Sequence, residues 1–393
     1  MTRSAAGLKA RSLQLTVGNH WDTEILAAFE PAPARTPSER ALGAAESWLR
    51  RSVPVVIPTE TVYGLAAPAL DQRAVEAIFQ IKRRPLDNPL IAHVSGLEQL
   101  EQLGTRLSRV GLQLAEEFWP GPLTLVVPTG ARLPWVTAGL DSMAVRHPAH
   151  EFATALIRRV GPLAAPSANL SGLPSPTRAR HVAGDLTGLL PLIIDGGDLE
   201  HGLESTVLDV RGPELILLRA GSLAVEAIEA AARRRVRLPA PGSEARAPGM
   251  KYRHYSPRAE VWLYPAPAGS TSSESAVHES AASERGGHAE AGSLEQRLAA
   301  DAAQLRAKGR RVAAIARQPV DVDEFIELPS DLRHFARQLF GWLRELDERG
   351  VDCVLVEGVA TSGVGLAIMD RLTRAASRIR SCAPNASAVG GAS

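Results

Sequence analysis

The sequence predicts a mixed α/β protein of two units joined by a linker, and three observations carry that expectation. Apolar strand-like runs alternate with helix-period stretches over residues 20–237, the pattern of helices packed on a sheet. The same alternation resumes over 259–381. Between them, residues 238–258 read LPAPGSEARAPGMKYRHYSPR, where proline and glycine exclude regular structure but Met250, Tyr252, His254 and Tyr255 crowd beside Lys251 and Arg253. An inert spacer is more often Ser, Gly and Glu throughout.

The elements follow in order. Ser38 is a plausible N-cap for a helix through Trp48 to Arg50, and PVVIP at 54–58 reads as a strand. Asp71 caps a second helix to Ile81, with Val75, Ile78 and Phe79 on one face. Strands are expected at Leu90–Val94, Leu123–Pro128, Met143–Arg146, Leu192–Asp195, Thr206–Val210 and Glu214–Leu218. The last two flank Arg211-Gly212-Pro213, which has the turn chemistry of a hairpin. In the second unit, strands at Ala259–Tyr264, Val312–Ile315 and Val351–Glu357 alternate with helices at Leu294–Lys308 and Ser330–Glu348 and one starting near Leu366. That alternation predicts a small, mostly parallel sheet. Residues 266–292 are low-complexity and are expected to form a disordered insertion, as are 382–393 at the tail. Residues 1–19 read as a basic, Ala-rich extension without the continuous apolar core of a secretory signal.

Composition removes several classes of function. Lys plus Arg is 44 and Asp plus Glu is 43 in 393 residues, a balance unlike that of a protein held to nucleic acid by bulk charge. Cys353 and Cys382 are the two cysteines, too few for a disulfide framework or a Cys-rich zinc site. No apolar stretch approaches the roughly 20 residues that a membrane-spanning helix needs. A cytoplasmic location is the expectation.

No P-loop, HExxH or GxSxG is present. Gly363-Val364-Gly365 lacks the third glycine of a dinucleotide fingerprint, so close loop packing is the better reading. His147 and His150 alone make a weak metal hint, and a structural role is favoured. What stands out is a set of polar residues at the ends of apolar strands. PTETVYGL at 58–65 places three polar side chains at a strand-to-loop junction, where a Ser/Thr-type turn would explain them equally well. Lys82, Arg83 and Arg84 close a helix, where its negative dipole end tolerates them. Yet Pro85, Asn88 and Pro89 stiffen the following loop, which suits cations meant for a phosphate. AAPSANLSG at 164–172 and Ser175-Pro176-Thr177 put small hydroxyl residues before a helix expected to start at Thr177. Such a start is either an anion site or simply a capped helix. With Arg146, Ser205 and Arg219 at strand ends, a concave anion-binding site in the first unit is the economical inference.

These residues, in this order, resemble the YrdC/Sua5 family of threonylcarbamoyl-AMP synthases. PTETVYGL, KRRPLDNPLIAHV, FWPGPLTLVV, MAVRHP, APSANLSGLPSPT and GLESTVLDV carry the resemblance over about 50–222. PGMKYRHYSP and VGLAIMDRLTRAAS resemble the linker and C-terminal domain of the longer, Sua5-type members. The resemblance implies a twisted mixed-sheet domain with a large open cavity, a smaller Rossmann-like domain, and a linker able to cover the cavity. It implies that L-threonine, bicarbonate or CO2, and ATP become threonylcarbamoyl-AMP and pyrophosphate, with Mg²⁺ held mainly by ATP and water and no protein metal site. A partner threonylcarbamoyl transferase would then modify adenosine 37 of tRNAs reading ANN codons, with at most weak contact between this chain and tRNA.

By motif position, the resemblance assigns Thr61, His93, Arg146, Ala165 and Ser205 to the threonine side. It assigns Arg84, Asn88, Ser142, Ser167, Ser175, Arg219, Tyr255 and His254 to ATP. Lys82, Arg84, Ser167 and Asn169 match the family's basic-and-polar catalytic tetrad. Ala220 departs from the usual LRPG, and Arg83 occupies a position that is often small. An RNA-binding protein using the same basic concavity is the competing class, disfavoured by the balanced charge and the lack of an aromatic-and-basic face. Carbamoyl transfer in hydrogenase maturation also uses a YrdC-like domain, but the paired CxxC motifs of that chemistry are missing.

Overall fold

The computed structural model describes residues 20–31, 36–129, 133–239, 255–265 and 293–380. The expectations for 1–19, 266–292 and 382–393, for most of the linker 238–258 and for His254 lie outside the described residues.

The first unit contributes β1 (Glu24–Ala27), α1 (Glu39–Leu49), β2 (Val55–Ile57), β3 (Gly64–Pro68), α2 (Gln72–Lys82), β4 (Ile91–His93), α3 (Gln99–Gln102), α4 (Arg109–Phe118) and β5 (Leu123–Pro128). It continues through α5 (Pro134–Thr137), β6 (Ser142–Arg146), α6 (Glu151–Val160), β7 (Leu163–Ala164), α7 (Ala179–Leu186), β8 (Leu192–Asp195), β9 (Thr206–Asp209), β10 (Leu215–Arg219), α8 (Val225–Ala232) and β11 (Val236–Arg237). The eleven strands form one mixed sheet in the order β1-β8-β2-β3-β7-β4-β6-β5-β9-β10-β11. Ser38 and Asp71 cap α1 and α2, accepting from the backbone N–H groups of Ala41 and Ala74. One apolar cluster joins α1 and α6 to β2 and β8. A larger one joins α2, α4 and α7 to β3, β5 and β6. Two such clusters let strands buried as thoroughly as Val55–Ile57 read as continuous apolar runs.

The second unit holds β12 (Glu260–Tyr264), α9 (Leu294–Ala307), β13 (Val312–Ala316), β14 (Glu324–Glu327), α10 (Leu332–Glu348), β15 (Cys353–Glu357), α11 (Val364–Ala375) and β16 (Arg378–Ile379). Its five strands are ordered β14-β13-β15-β12-β16, every pair parallel. The strand expected from Val351 begins at Cys353, because the Val351 N–H instead closes the end of α10 on the Leu346 carbonyl. Gly365 packs so closely that a Cβ there would lie 2.0 Å from the Ala360 carbonyl oxygen, whereas Gly363 meets no close neighbour and instead adopts a positive φ of 55°.

The helix expected from Thr177 starts at Ala179. Arg178 is extended (φ −142°, ψ 152°), and the Thr177 N–H is taken by His181 Nδ1 at 3.3 Å. The hydroxyl cluster at 167–175 therefore belongs to a loop and not to a helix N-terminus.

One face of α10 docks on the first unit at helical spacing. Arg337 meets Gly202, whose φ is +71° and where a Cβ would fall 2.4 Å from the Arg337 Cα, so glycine alone fits. Phe340 stacks on Tyr255 at 5.3 Å between ring centroids. Arg344 donates to the Pro174 carbonyl and pairs with Asp185 at 2.7 Å, while Glu345 accepts from Arg178 and Arg180. Leu203, Leu217 and Ala220 share an apolar cluster with Val261, Phe335 and Ile368 of the second unit.

His181 is 2 % exposed beneath this helix, and it accepts from Thr177 through a ring nitrogen that protonation would remove. Burial, and then the cations Arg344, Arg180 and Arg178, lower its pKa to about 3. In the unfolded chain it binds a proton below about 6.5. Stability linked to His181 is thus complete above that pH and falls toward pH 3, by up to about 1.4 kcal/mol per pH unit. Urea midpoints between pH 7 and pH 4.5 should decline more steeply for the wild type than for His181→Asn. Parallel pH profiles would show that His181 does not titrate in this way.

Candidate active site

The site lies where loops leave the central strands of the large sheet. β2 and β3 run antiparallel, and the loop between them is folded by Thr59. The Thr59 hydroxyl donates to the Val62 carbonyl at 2.7 Å and accepts from the Thr61 and Val62 N–H groups. The turn reading of this segment is therefore correct for Thr59, and it is this turn that leaves Thr61 on the wall of a cleft.

At the end of α2, Arg83 adopts a left-handed conformation (φ 51°, ψ 42°), ending the helix with its side chain exposed. Its neighbours on either side turn inward. Lys82 is 1 % exposed, and its Nζ donates to the carbonyls of Ser167 and Asn169, each at 2.5 Å. Arg84 donates to the carbonyls of Asn88 and Pro89 at 3.2 and 2.8 Å.

β4 and β6 are parallel neighbours that set His93 beside Arg146. Arg146 is 3 % exposed and makes three contacts at once. Its Nε donates to the Gly121 carbonyl, Nη1 donates to the Thr61 hydroxyl at 2.9 Å, and Nη2 lies 2.6 Å from the buried Glu60 carboxylate. Burial pushes the Glu60 carboxyl up, but Arg146 outweighs it and holds the group ionised. Burial, then the charge of Arg146, lowers His93 to about 3, so His93 is a neutral imidazole, with Nδ1 3.3 Å from the Ile91 carbonyl.

The loop after β7 is stitched to three elements. Ala165 N–H bonds the Ile91 carbonyl, Ala168 N–H the Tyr63 carbonyl, and Ser171 N–H the Lys82 carbonyl. On the far wall, Arg219 at the end of β10 donates to the Ser205 carbonyl and hydroxyl. Gly221 brings the two strands together: a Cβ there would lie 2.2 Å from the Thr206 nitrogen. The glycine of LRAG is thus the residue the geometry requires, and Ala220 beside it is accommodated in the apolar cluster.

Together these walls form a single cleft. Thr61, Lys82, Arg84, His93, Arg146, Ala165, Ser167, Asn169, Ser175, Ser205, Arg219 and Tyr255 all line it. Asn88 and Ser142, assigned to ATP by the resemblance, are not on that wall. Each is 2 % exposed, with Asn88 Nδ2 and Ser142 Oγ lacking a hydrogen-bond partner, and it is the Asn88 carbonyl that touches the site by accepting from Arg84. Sequence reasoning missed Glu204, which lines the cleft inside the GLESTVLDV motif. A carboxylate flanking a hydroxyl in an otherwise apolar run was the available signal.

The electrostatics are those of a site short of negative charge. Burial, then Arg84, holds Lys82 well below the usual lysine range. Burial, with Arg219 adding, pulls Arg84 down to about 10, and burial lowers Arg219 as well. The hydrogen bonds of these three cations go to peptide carbonyls and one hydroxyl. An entering polyanion would stabilise the charged form of each and raise its pKa. Among the described residues, no group of three or more His, Cys, Asp or Glu side chains is placed to hold a metal ion, and no helix is long and apolar enough to cross a membrane.

Comparison with known proteins agrees with this geometry. A family model described as "Telomere recombination" (Sua5_yciO_yrdC) matches residues 47–221, and one described as "Threonylcarbamoyl-AMP synthase, C-terminal domain" matches 223–377. The threonylcarbamoyl-AMP synthase of Pyrococcus abyssi is 43 % identical over 337 residues, covering 84 % of this chain and 92 % of its own. That of Bacillus subtilis is 40 % identical over 344 residues, with the same two coverages of 84 % and 92 %. The crystal structure of P. abyssi Sua5 complexed with L-threonine matches with a TM-score of 0.80 at 41 % identity, covering 91 % of this chain and 99 % of that one. The two matched segments, the two-unit fold and the cationic cleft lead to one conclusion: the chain belongs to the YrdC/Sua5 family and has the two-domain Sua5 organisation.

Proposed function

We propose that the chain is an L-threonylcarbamoyladenylate synthase, joining L-threonine, bicarbonate or CO2, and ATP into threonylcarbamoyl-AMP with release of pyrophosphate. One observation carries the reading: Lys82, Arg84 and Arg219 converge on a single cleft with their hydrogen bonds made to uncharged groups. Both its relatives in P. abyssi and B. subtilis bear this activity in their names.

The chemistry asks little covalent work of the protein. The threonine amine adds to CO2 to give a carbamate, and a carbamate oxygen attacks the α-phosphorus of ATP in line as pyrophosphate leaves. Positioning and charge stabilisation supply the catalysis. Lys82 braces the loop bearing Ser167 and Asn169, whose side chains and N–H groups then face the nucleotide. Arg84 and Arg219 meet the phosphates, with Ser175 and Tyr255 beside them. On the threonine side, Arg146 offers its guanidinium to the carboxylate, flanked by Thr61, His93, Ala165 and Ser205. Asn88 and Ser142 each carry a buried polar atom without a hydrogen-bond partner, and a rearrangement of the loop that Arg84 holds through the Asn88 carbonyl would be needed for Asn88 to reach the nucleotide.

Mg²⁺ fits this site as an ion carried by the phosphates. Both oxygens of Glu204, the lining carboxylate, are already engaged, by Ser175 and Arg371. Bound there, the ion would neutralise charge on the departing pyrophosphate while keeping water ligands. The mixed anhydride hydrolyses readily, so Tyr255 on the cleft wall would serve to exclude water. Its consumer would be a threonylcarbamoyl transferase acting on adenosine 37 of tRNAs that read ANN codons.

Pyrophosphate release by the purified chain is expected to require ATP, L-threonine and bicarbonate together, with the threonylcarbamoyl-AMP mass detected in the product. Release without threonine, or none at all, refutes the proposal. Arg84→Ala should raise the KM for ATP with the threonine KM little changed. Arg146→Ala alone would strand the buried Glu60 charge, at a cost of about 3–5 kcal/mol. The informative variant is therefore Arg146→Ala with Glu60→Gln, whose threonine KM should rise at least about tenfold. Threonine and serine differ by one methyl group, so kcat/KM should favour threonine by only about 10- to 200-fold.

A further inference from the structure

Glu204 is the sole carboxylate among the described residues lining the cleft, and neither substrate explains it. A carboxylate facing a site for a polyanion repels the ligand unless something neutralises it. Its partners are well defined. Oε1 accepts from the Ser175 hydroxyl at 2.5 Å, and Oε2 accepts from Arg371 Nε at 2.8 Å. Arg371 comes from α11 of the second unit, within the VGLAIMDRLTRAAS segment that the reaction chemistry leaves unassigned. It is 1 % exposed, the largest fully buried side chain among the described residues. Its Nη1 is held by the neighbouring Asp370, and its guanidinium carbon lies 5.1 Å from the centre of the Tyr255 ring, which also stacks on Phe340. One side chain of the second unit thus touches both Glu204 and Tyr255, two residues of the cleft wall.

We propose that Arg371 is a positioning residue for the nucleotide side of the cleft: it holds Glu204 onto Ser175 and away from Arg219, leaving the Arg219 guanidinium for substrate, and it backs Tyr255 over the mouth. This role rests on the function proposed above. Burial pushes the Glu204 carboxyl up, but Arg371 and then Arg219 bring it net below the usual range, so the group is ionised and within the field of both guanidiniums. With Arg371 gone, Arg219 exerts the strongest remaining positive field on that charge, and pairing with it would quench one of the three cations the phosphates need.

The test is steady-state pyrophosphate release by the full chain at saturating threonine and bicarbonate. Arg371→Met should lower kcat/KM for ATP about 10- to 100-fold, with a smaller effect on the threonine KM. Glu204→Gln added to Arg371→Met should recover about tenfold or more of that loss, because it removes the anion that competes for Arg219. Glu345→Gln breaks ion pairs between the units away from the cleft and should change kcat/KM for ATP less than about twofold. A double variant no better than Arg371→Met, or an equal loss in Glu345→Gln, would make Arg371 a docking contact only and overturn the proposal. If Arg371→Met fails to fold, Arg371→Lys decides. It keeps the charge on Glu204 without the planar face over Tyr255, and should lose about three- to tenfold in kcat/KM for ATP at an unchanged Tm. Wild-type kinetics in that variant would equally overturn it. A wild-type chain without threonine-dependent turnover refutes the function itself, whereas turnover with the wrong variant pattern refutes only the role of Arg371.

Discussion

The structure depends on burying positive charge without neutralising it. Lys82, Arg84 and Arg219 are withdrawn from water, yet what holds them is chiefly the peptide carbonyl: of Ser167 and Asn169, of Asn88 and Pro89, and of Ser205. A carboxylate would hold each cation more strongly and would also cancel it. Carbonyls supply enough solvation to keep the charges in place and leave the field pointing at the cleft. Much of the surrounding architecture follows from this choice. The loop 165–171 must lie against α2, β3 and β4 to present its carbonyls, and β9 must approach the 219–221 segment closely enough for Arg219 to grip Ser205, which is why Gly221 has no side chain.

The Arg146 side of the cleft solves a different problem. Arg146 does have a carboxylate, Glu60, but that partner sits behind it, while Thr61 and the Gly121 carbonyl fix the remaining nitrogens. The result is an oriented guanidinium, not a free one. His93, kept neutral by burial and by Arg146, adds a polar wall without adding charge. The two halves of the cleft thus differ in electrostatic character although they share one sheet.

Much of this was legible in the sequence, for identifiable reasons. Buried strands such as Leu123–Pro128 and Leu192–Asp195 stand out because both faces are apolar, and α1 and α2 announce themselves through Ser38 and Asp71. Polar residues at the ends of those strands pointed to a concave site before any coordinates. Other features carry no local mark. β3 and β7 read GLAAP and LA, with no β-branched residue to signal a strand, and exist because neighbouring strands pair with them. The start of α7 was misplaced because His181 captures the Thr177 N–H, a contact four residues ahead that propensity does not register. Glu204 and Arg371 are 167 positions apart, and only the docking of α10 and α11 on the first unit reveals that they are partners.

The sheet's edge carries a consequence for biosynthesis. β1 pairs with β8 in parallel, Glu24 opposite Leu192, so the first strand among the described residues waits for one of the later strands of its unit. At elongation rates of about 5–20 residues per second, the interval between them is on the order of ten to thirty seconds on the ribosome. Until β8 is made, Val55 and Ile57 of β2 lack Leu192 and Ile194, which complete the apolar cluster around α1 and α6. The nascent first unit is therefore held open by topology until residue 195 emerges, the stage at which a chaperone would have most to cover.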